Sequence, residues 1–261
     1  MGAVMLEGKT YCKYTPLRAI AAIFTVVILA ASILAPFTYI VNGDHFELRF
    51  DVEDIEKEYQ VSYEGDVYTI EVTIPGDLYH SYADKPRIRA SNGWMDYAAY
   101  VVIDDVVQGI ADKLKAIVDA NYNGSDYALA SLILDFVHQT PYLRDNSVDG
   151  VEIEYPRTPV ETLVDRGDCE DLSSLYTSIA LAAGLDSVMF MFPLKYDGHM
   201  AAGVHIEDSH GLKAYYTSPE GVNYYFCETT SSSAELGDVS GRYTSQDVMN
   251  VMQILSDFPN A

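Results

Sequence analysis

Three residues could together carry covalent chemistry: Cys169, His199 and Glu228. A thiol, an imidazole and a carboxylate supply a nucleophile, its base and an orienter for that base. Cys169 lies in Gly167-Asp168-Cys169-Glu170-Asp171, followed at once by LSSLYTSIALAAG. Leu172, Leu175, Tyr176, Ile179 and Ala183 recur at helical spacing, Asp168 is placed to cap and Gly184 to terminate. The cysteine therefore falls in the first turn of a helix. Unpaired N–H groups and the helix dipole there favour a thiolate over a thiol and could hold an oxyanion. The plainer reading of Cys169 is a small buried core residue, as most free cysteines are. His205 is a rival base, on the same strand face as His199 if that strand is regular. A zinc site from Cys169, His199 and His205 would lack paired ligand spacing.

The elements that must position these groups follow from periodicity. GHMAAGVHIE, 198–207, reads as a strand with His199 at its start, and YYFCETT reads as another carrying Glu228. Upstream, 46–51, 58–63 and 67–74 alternate as a small antiparallel sheet ended by Pro75-Gly76, and 78–94 is a connector. Residues 97–120 read as one amphipathic helix and 125–138 as a second, capped by Ser125. Residues 141–156 form an acidic loop containing Tyr142 and Asp145. Thr158-Pro159-Val160-Glu161 has the form of a capping box with proline at the first helical position. Strands follow at 187–192, 200–206, 212–217 and 222–229, then a polar loop over 231–243 and a terminal helix over 246–256. His138 and His210 read as surface or helix residues. Tyr196, Tyr215, Tyr216, Tyr224 and Tyr225 either line a groove for an extended peptide or serve as ordinary strand residues.

GDCEDLSSL, GHM and CETT, in that order, resemble the transglutaminase-like superfamily, whose core is papain-like; the likeness covers about residues 125–235. GDCEDLSSL is its specific part and resembles the bacterial and archaeal membrane-anchored cysteine protease branch. The resemblance implies an α+β fold, with a cysteine-bearing helix packed on an antiparallel sheet. It also implies Cys169, His199 and Glu228 as a triad acting on peptide or amide bonds, most simply as a cysteine protease. Cross-linking through glutamine, or a silent scaffold of the same fold, are the alternatives. Glu228 stands where aspartate is commoner in the family, and Met200 follows the histidine where tryptophan is frequent. Asp168 and Glu170 suit a first helical turn. Some relatives bind calcium at this place, so a Ca²⁺ site at Asp168 and Glu170 is the alternative to a site without cofactor.

The chain has 261 residues and a formal charge of −23. The first 42 residues hold Lys9, Lys13 and Arg18 against Glu7, leaving 13 basic and 38 acidic residues, a formal −25, in the rest. Such a surface repels phosphate backbones and argues against nucleic-acid partners. Residues 19–41 carry no charge and are long enough to span a bilayer as one helix. The basic flank predicts a cytoplasmic tail, 1–18, and an extracytoplasmic remainder. A cleaved signal peptide is the alternative, with Ala30-Ala31-Ser32 as its weak cleavage site. The expected organisation is then tail, anchor, a β region with connector over 44–95, and a catalytic domain over 96–261, acting on a protein or peptide substrate. Cys12, Cys169 and Cys227 form no disulfide framework; Cys227 reads as core, with a Cys169–Cys227 bridge as the lesser alternative.

Overall fold

A computed structural model describes residues 4–6, 9–11, 37–42, 45–50, 52–88, 95–145, 147–148, 151–152, 154–192, 198–239, 243–245, 248 and 250–253. The chain divides into two compact units, Met1–Glu53 and Asp54–Ala261. In the first, β1 (Val4–Leu6) pairs antiparallel with β2 (Lys9–Tyr11), and β3 (Phe37–Asn42) with β4 (His45–Phe50). The apolar run expected to span a membrane lies outside the described residues as far as 36. Its end, 37–41, is strand rather than helix, in keeping with the aromatic and β-branched character of Phe37, Tyr39, Ile40 and Val41. Among the described residues no helix is long and apolar enough to cross a membrane.

The second unit begins with a hairpin, β5 (Ile55–Tyr63) and β6 (Asp66–Ile74), turned through Glu64 and Gly65 at positive φ. The alternation over 46–51 predicts a third strand beside this hairpin; in the structure 46–50 belong to β4 and pair with β3. The inward residues Tyr59, Val61, Ile70, Val72 and Ile74 join one core with the helices that follow. Those helices are α1 (Gly76–Ala83), α2 (Asp105–Asn121), α3 (Asp126–His138), α4 (Pro159–Asp165) and α5 (Cys169–Ala182). The expected helix over 97–120 is broken. Residues Tyr97–Tyr100 form a 3₁₀ turn, and Asp104 then caps α2 by accepting from the Val106 and Val107 N–H groups at 3.0 Å each. A side chain that satisfies two orphan donors outcompetes continuation of the helix through it. The loop 141–156 contains a short hairpin, β7 (Ser147–Val148) and β8 (Val151–Glu152).

The sheet is five-stranded and antiparallel, in the order β11 (Tyr216–Thr217), β12 (Asn223–Cys227), β10 (His199–Val204), β9 (Ser187–Phe192), β13 (Asn250–Gln253). The described residues are thus an α+β fold with antiparallel sheets. Of the strand expected over 212–217 only the last two residues pair. Within the expected terminal helix, 250–253 are instead β13, which pairs with the free edge of β9; 246–247, 249 and 254–256 lie outside the described residues. A short apolar run such as Val251-Met252 has no decisive period, and the unpaired backbone of β9 decides it.

Helix α5 packs on this sheet and ends as expected. Gly184 is at φ 90°, its N–H bonds the Leu181 carbonyl, and the Leu185 N–H reaches Ala180, a Schellman cap. Its hydroxyl face, which periodicity alone would leave to solvent, is also buried. Ser174 donates to the Tyr100 carbonyl at 2.7 Å and Ser178 accepts from the Val102 N–H at 3.1 Å. Bonded hydroxyls make that burial tolerable. Gly203 is where the sheet allows least room. An added Cβ would lie 2.4 Å from Phe190 Cε2 and 2.6 Å from its Cζ. Gly203→Ala is therefore expected to destabilise the domain by about 1–3 kcal/mol, the usual cost of overpacking a core. A chemical denaturation midpoint equal to wild type would refute this.

Candidate active site

Asp168 caps α5 in a reciprocal box with Asp171, which places Cys169 at the first helical position. The box engages the Asp171 N–H and leaves that of Cys169 outside it. The entry turn is fixed from several sides. Arg157 donates from Nη1 to Asp171 at 2.6 Å and to Asp145 at 2.9 Å, and its N–H meets Asp171 at 2.6 Å. Tyr142 bridges to Gly167, and the Leu143 N–H bonds the Gly167 carbonyl at 2.8 Å. Gly167 is required there, because a Cβ would fall 2.4 Å from that of Asp171. Thr158 and Glu161 form the expected box on α4, with the Thr158 N–H 2.9 Å from Glu161 Oε2.

Strand β10 begins at His199 and pairs with β12, directly after which comes Glu228. The His199 Nε2 lies 3.1 Å from Glu228 Oε2. That bond puts the proton on Nε2 of the neutral ring and leaves Nδ1 with the lone pair. Glu228 Oε1 accepts from the Thr230 hydroxyl at 2.6 Å and its N–H at 3.0 Å, and the Glu228 carbonyl meets His138 Nε2 at 2.8 Å. Burial by itself would raise the Glu228 carboxyl. The bond and charge of His199, with the two Thr230 bonds, outweigh it and hold the carboxyl below its ordinary value. Ser173 ties the two elements together, donating to the Cys169 carbonyl at 2.6 Å and lying 3.1 Å from the Thr229 hydroxyl.

Cys169, His199 and Glu228 line one cavity of about 590 Å³, together with Tyr142, Arg144 and Tyr243. His205 lies elsewhere, bonded through Nδ1 to the Asn223 carbonyl, and is not among the residues lining the cavity. Cys227 is fully buried and both described cysteines are free thiols. The tyrosines considered for a groove do other work. Tyr215 and Tyr216 pack around Phe190, Tyr224 donates to Asp186, and Tyr225 is in the core; Tyr196 lies outside the described residues. Tyr142, in the loop 141–156, lines the cavity. Arg144, His138, Arg157, Glu154 and Tyr243 carry no motif, and only the packed chain reveals them.

The electrostatics around the sulfur reverse the expectation of a depressed thiol. Burial pushes the Cys169 thiol well above its ordinary value, and the Glu170 and Asp168 carboxylates push it further. A hydrogen bond from the Met200 N–H opposes them only in part. The thiol donates to Glu170 Oε2 at 3.3 Å. The helix dipole is a fraction of a unit charge and is outweighed by the burial of the thiol together with the acidic side chains on either side of it.

Asp168 and Glu170 are both buried, and Asp168 Oδ1 and Glu170 Oε1 receive no bond from an N–H or hydroxyl group. Burial pushes the Glu170 carboxyl up to about 11, with its bond to Asp168 and the charges of Asp168, Asp171 and Glu154 adding to the effect. Glu154 in turn accepts from the Tyr97 hydroxyl at 2.8 Å. Arg157 serves Asp145 and Asp171, which leaves this group of acids short of positive charge. One ligand atom each from Asp168, Cys169 and Glu170 lies within 4.8 Å of the others. The oxygens fit a hard divalent cation such as Ca²⁺; the sulfur does not.

No protein-family model and no curated protein sequence matches the chain. Among solved structures it is similar to Legionella pneumophila LapG in its EGTA-treated form, at 15% identity and a TM-score of 0.32, covering 55% of this chain and 78% of that one. The calcium-bound form of LapG gives 16% identity and a TM-score of 0.31 over 55% of this chain and 87% of that one. A Cytophaga hutchinsonii protein described as a candidate cysteine protease gives 13% identity and a TM-score of 0.31, over 76% of this chain and 71% of that one.

Proposed function

We propose that the chain is a transglutaminase-like thiol hydrolase that cleaves peptide bonds through Cys169, His199 and Glu228. What supports this reading is that the three line one cavity with His199 already bonded to Glu228. Cys169 Sγ attacks the substrate carbonyl carbon while His199 Nδ1 takes the thiol proton. The carbonyl oxygen gains the negative charge and meets the Cys169 N–H at the start of α5. As the tetrahedral intermediate collapses, the C–N bond breaks and His199 returns the proton to the leaving amine. Glu228 holds the imidazole and stabilises its charged form. Water then attacks the thioester, giving a carboxylic acid and restoring the thiol. An amine in place of water would give cross-linking by the same steps. Casein digestion by the full chain, absent in Cys169→Ala, is the test; incorporation of a fluorescent amine without new amino termini would replace hydrolysis by transfer.

Asp168 and Glu170, with Glu154 beside them, are the residues that would hold a Ca²⁺ ion. When bound, it supplies the positive charge that these carboxylates lack. Glu170 would then be ionised, with the ion offsetting its charge beside the thiol.

The substrate is a protein or peptide rather than a nucleic acid, in line with the formal charge of −23. The uncharged run that begins at residue 19 is the candidate membrane anchor although its end, 37–41, is strand, with residues 1–18 cytoplasmic and the catalytic domain outside. Protease added to intact spheroplasts is expected to digest the domain. Digestion only after lysis would place it inside.

A further inference from the structure

The face of the His199 ring is covered from a distant part of the sequence. Tyr243 stacks on the imidazole with centroids 4.4 Å apart and planes 18° from parallel. It is itself held in place: its ring lies 4.8 Å from that of Phe192, and its carbonyl accepts from the Tyr215 hydroxyl at 3.4 Å. Phe192 also faces His199, at 5.9 Å and 25°. Tyr243 belongs to the cluster built on Phe190, Phe192 and Phe226, so its position is fixed by the sheet's own core. It also lines the cavity that holds Cys169.

We infer that Tyr243 is the positioning residue for the catalytic base: its ring shields the bond between His199 and Glu228 from water and fixes the plane of the imidazole. Three physical effects follow from one contact. Excluding water lowers the local dielectric and strengthens the 3.1 Å bond from Nε2 to Glu228. An aromatic face favours the imidazolium formed when the thiol gives up its proton. A ring held in plane keeps Nδ1, whose lone pair must accept that proton, in a constant direction while Nε2 stays on the carboxylate. The phenol oxygen has no part in this, so a phenylalanine should serve.

The inference rests on reading Cys169, His199 and Glu228 as the acyl-transfer site, and its main readout needs no substrate. In the full chain labelled with ¹⁵N-histidine, the Nε2–H proton of His199 is expected to be visible and slow to exchange. It should remain so in Tyr243→Phe and broaden away in Tyr243→Ala. With casein as substrate, Tyr243→Ala should lower kcat roughly 10- to 100-fold, the scale for losing the orientation of a reacting group. KM should change little, and Tyr243→Phe should restore the rate. If Tyr243→Ala does not fold, Tyr243→Leu fills the space without a flat face and should show the same loss of signal and rate. A sharp Nε2–H signal and unchanged kcat in the alanine or leucine variant would overturn the inference, as would an equal loss in Tyr243→Phe. Casein activity surviving in Cys169→Ala would instead refute the triad, while the His199 signal would still report on Tyr243.

Discussion

Cys169→Ala is expected to remove casein digestion entirely while leaving the melting temperature near that of wild type. The side chain is half-buried and its removal opens little space, so the fold does not depend on it. The proposed chemistry does, because in it sulfur forms the covalent bond. Removing the nucleophile of such a unit costs roughly 10⁴-fold or more, the remainder coming from binding and the oxyanion donors. Cys169→Ser should be nearly as inactive, since His199 must then deprotonate a far weaker acid. His199→Ala should match Cys169→Ala, because residues that act as a unit lose activity together rather than additively. His205→Ala should cost little, its Nδ1 being engaged with the Asn223 carbonyl. Glu228→Gln should approach the ~10⁴-fold loss that follows when an amide imposes the wrong imidazole tautomer. The Thr230 N–H and hydroxyl donate to one carboxylate oxygen, so an amide would keep its oxygen there and turn its NH₂ toward His199 Nε2. Initial rates on casein across the series decide the assignment. Full activity in Cys169→Ala would end the thiol mechanism, and a larger loss in His205→Ala than in His199→Ala would move the base.

Much of this site was legible in the sequence because its parts are local. The start and end of α5 are written in Asp168 and Gly184, and the strand starting at His199 in a run of small and apolar residues. What was not legible is what distant segments do to one another. Arg157 secures the Cys169 turn from fourteen residues upstream of Asp171, and Tyr243 reaches His199 from the segment between β12 and β13. Neither contact leaves a spacing to read. The break at Asp104 was missed because a helical period continues through it, whereas the capping bonds that interrupt it need only one side chain. The terminal strand was missed because its period is short and the edge that recruits it is more than fifty residues away. The thiol's electrostatics were misjudged by weighing the dipole, which sequence position reveals, without the burial of Asp168 and Glu170, which it does not.

That burial sets the second large effect. In the protein without a divalent cation, stability is expected to fall as pH rises from about 5 to 9. Glu170 has an ordinary value of 4.5 and is raised to about 11 by burial and its acidic neighbours. Below 4.5 the carboxyl is protonated whether the chain is folded or not, and no penalty arises. Between the two values the folded chain keeps a proton that the unfolded chain has released, so each step up in pH favours unfolding. On the proposed calcium site, Ca²⁺ should reverse the trend by meeting Asp168 Oδ1 and Glu170 Oε1, which receive no bond from an N–H or hydroxyl group. At a free concentration 100 times its Kd it would add about 2.7 kcal/mol, or roughly 5–10 °C in Tm for a domain of this size. Ligands must be deprotonated to bind, so the gain should be larger at pH 8 than at pH 5. Glu170→Gln should flatten the pH dependence and abolish most of the calcium response. The same substitution replaces the carboxyl 3.3 Å from Cys169 Sγ by an amide that cannot carry negative charge, one of the influences that hold the thiol protonated, and iodoacetamide should then label the thiol faster than in the calcium-free wild type. Thermal melts in EGTA and in Ca²⁺ across pH, with labelling rates alongside, provide the measurement. A Tm that ignores both calcium and Glu170→Gln would show that the acids beside Cys169 are settled by protonation alone.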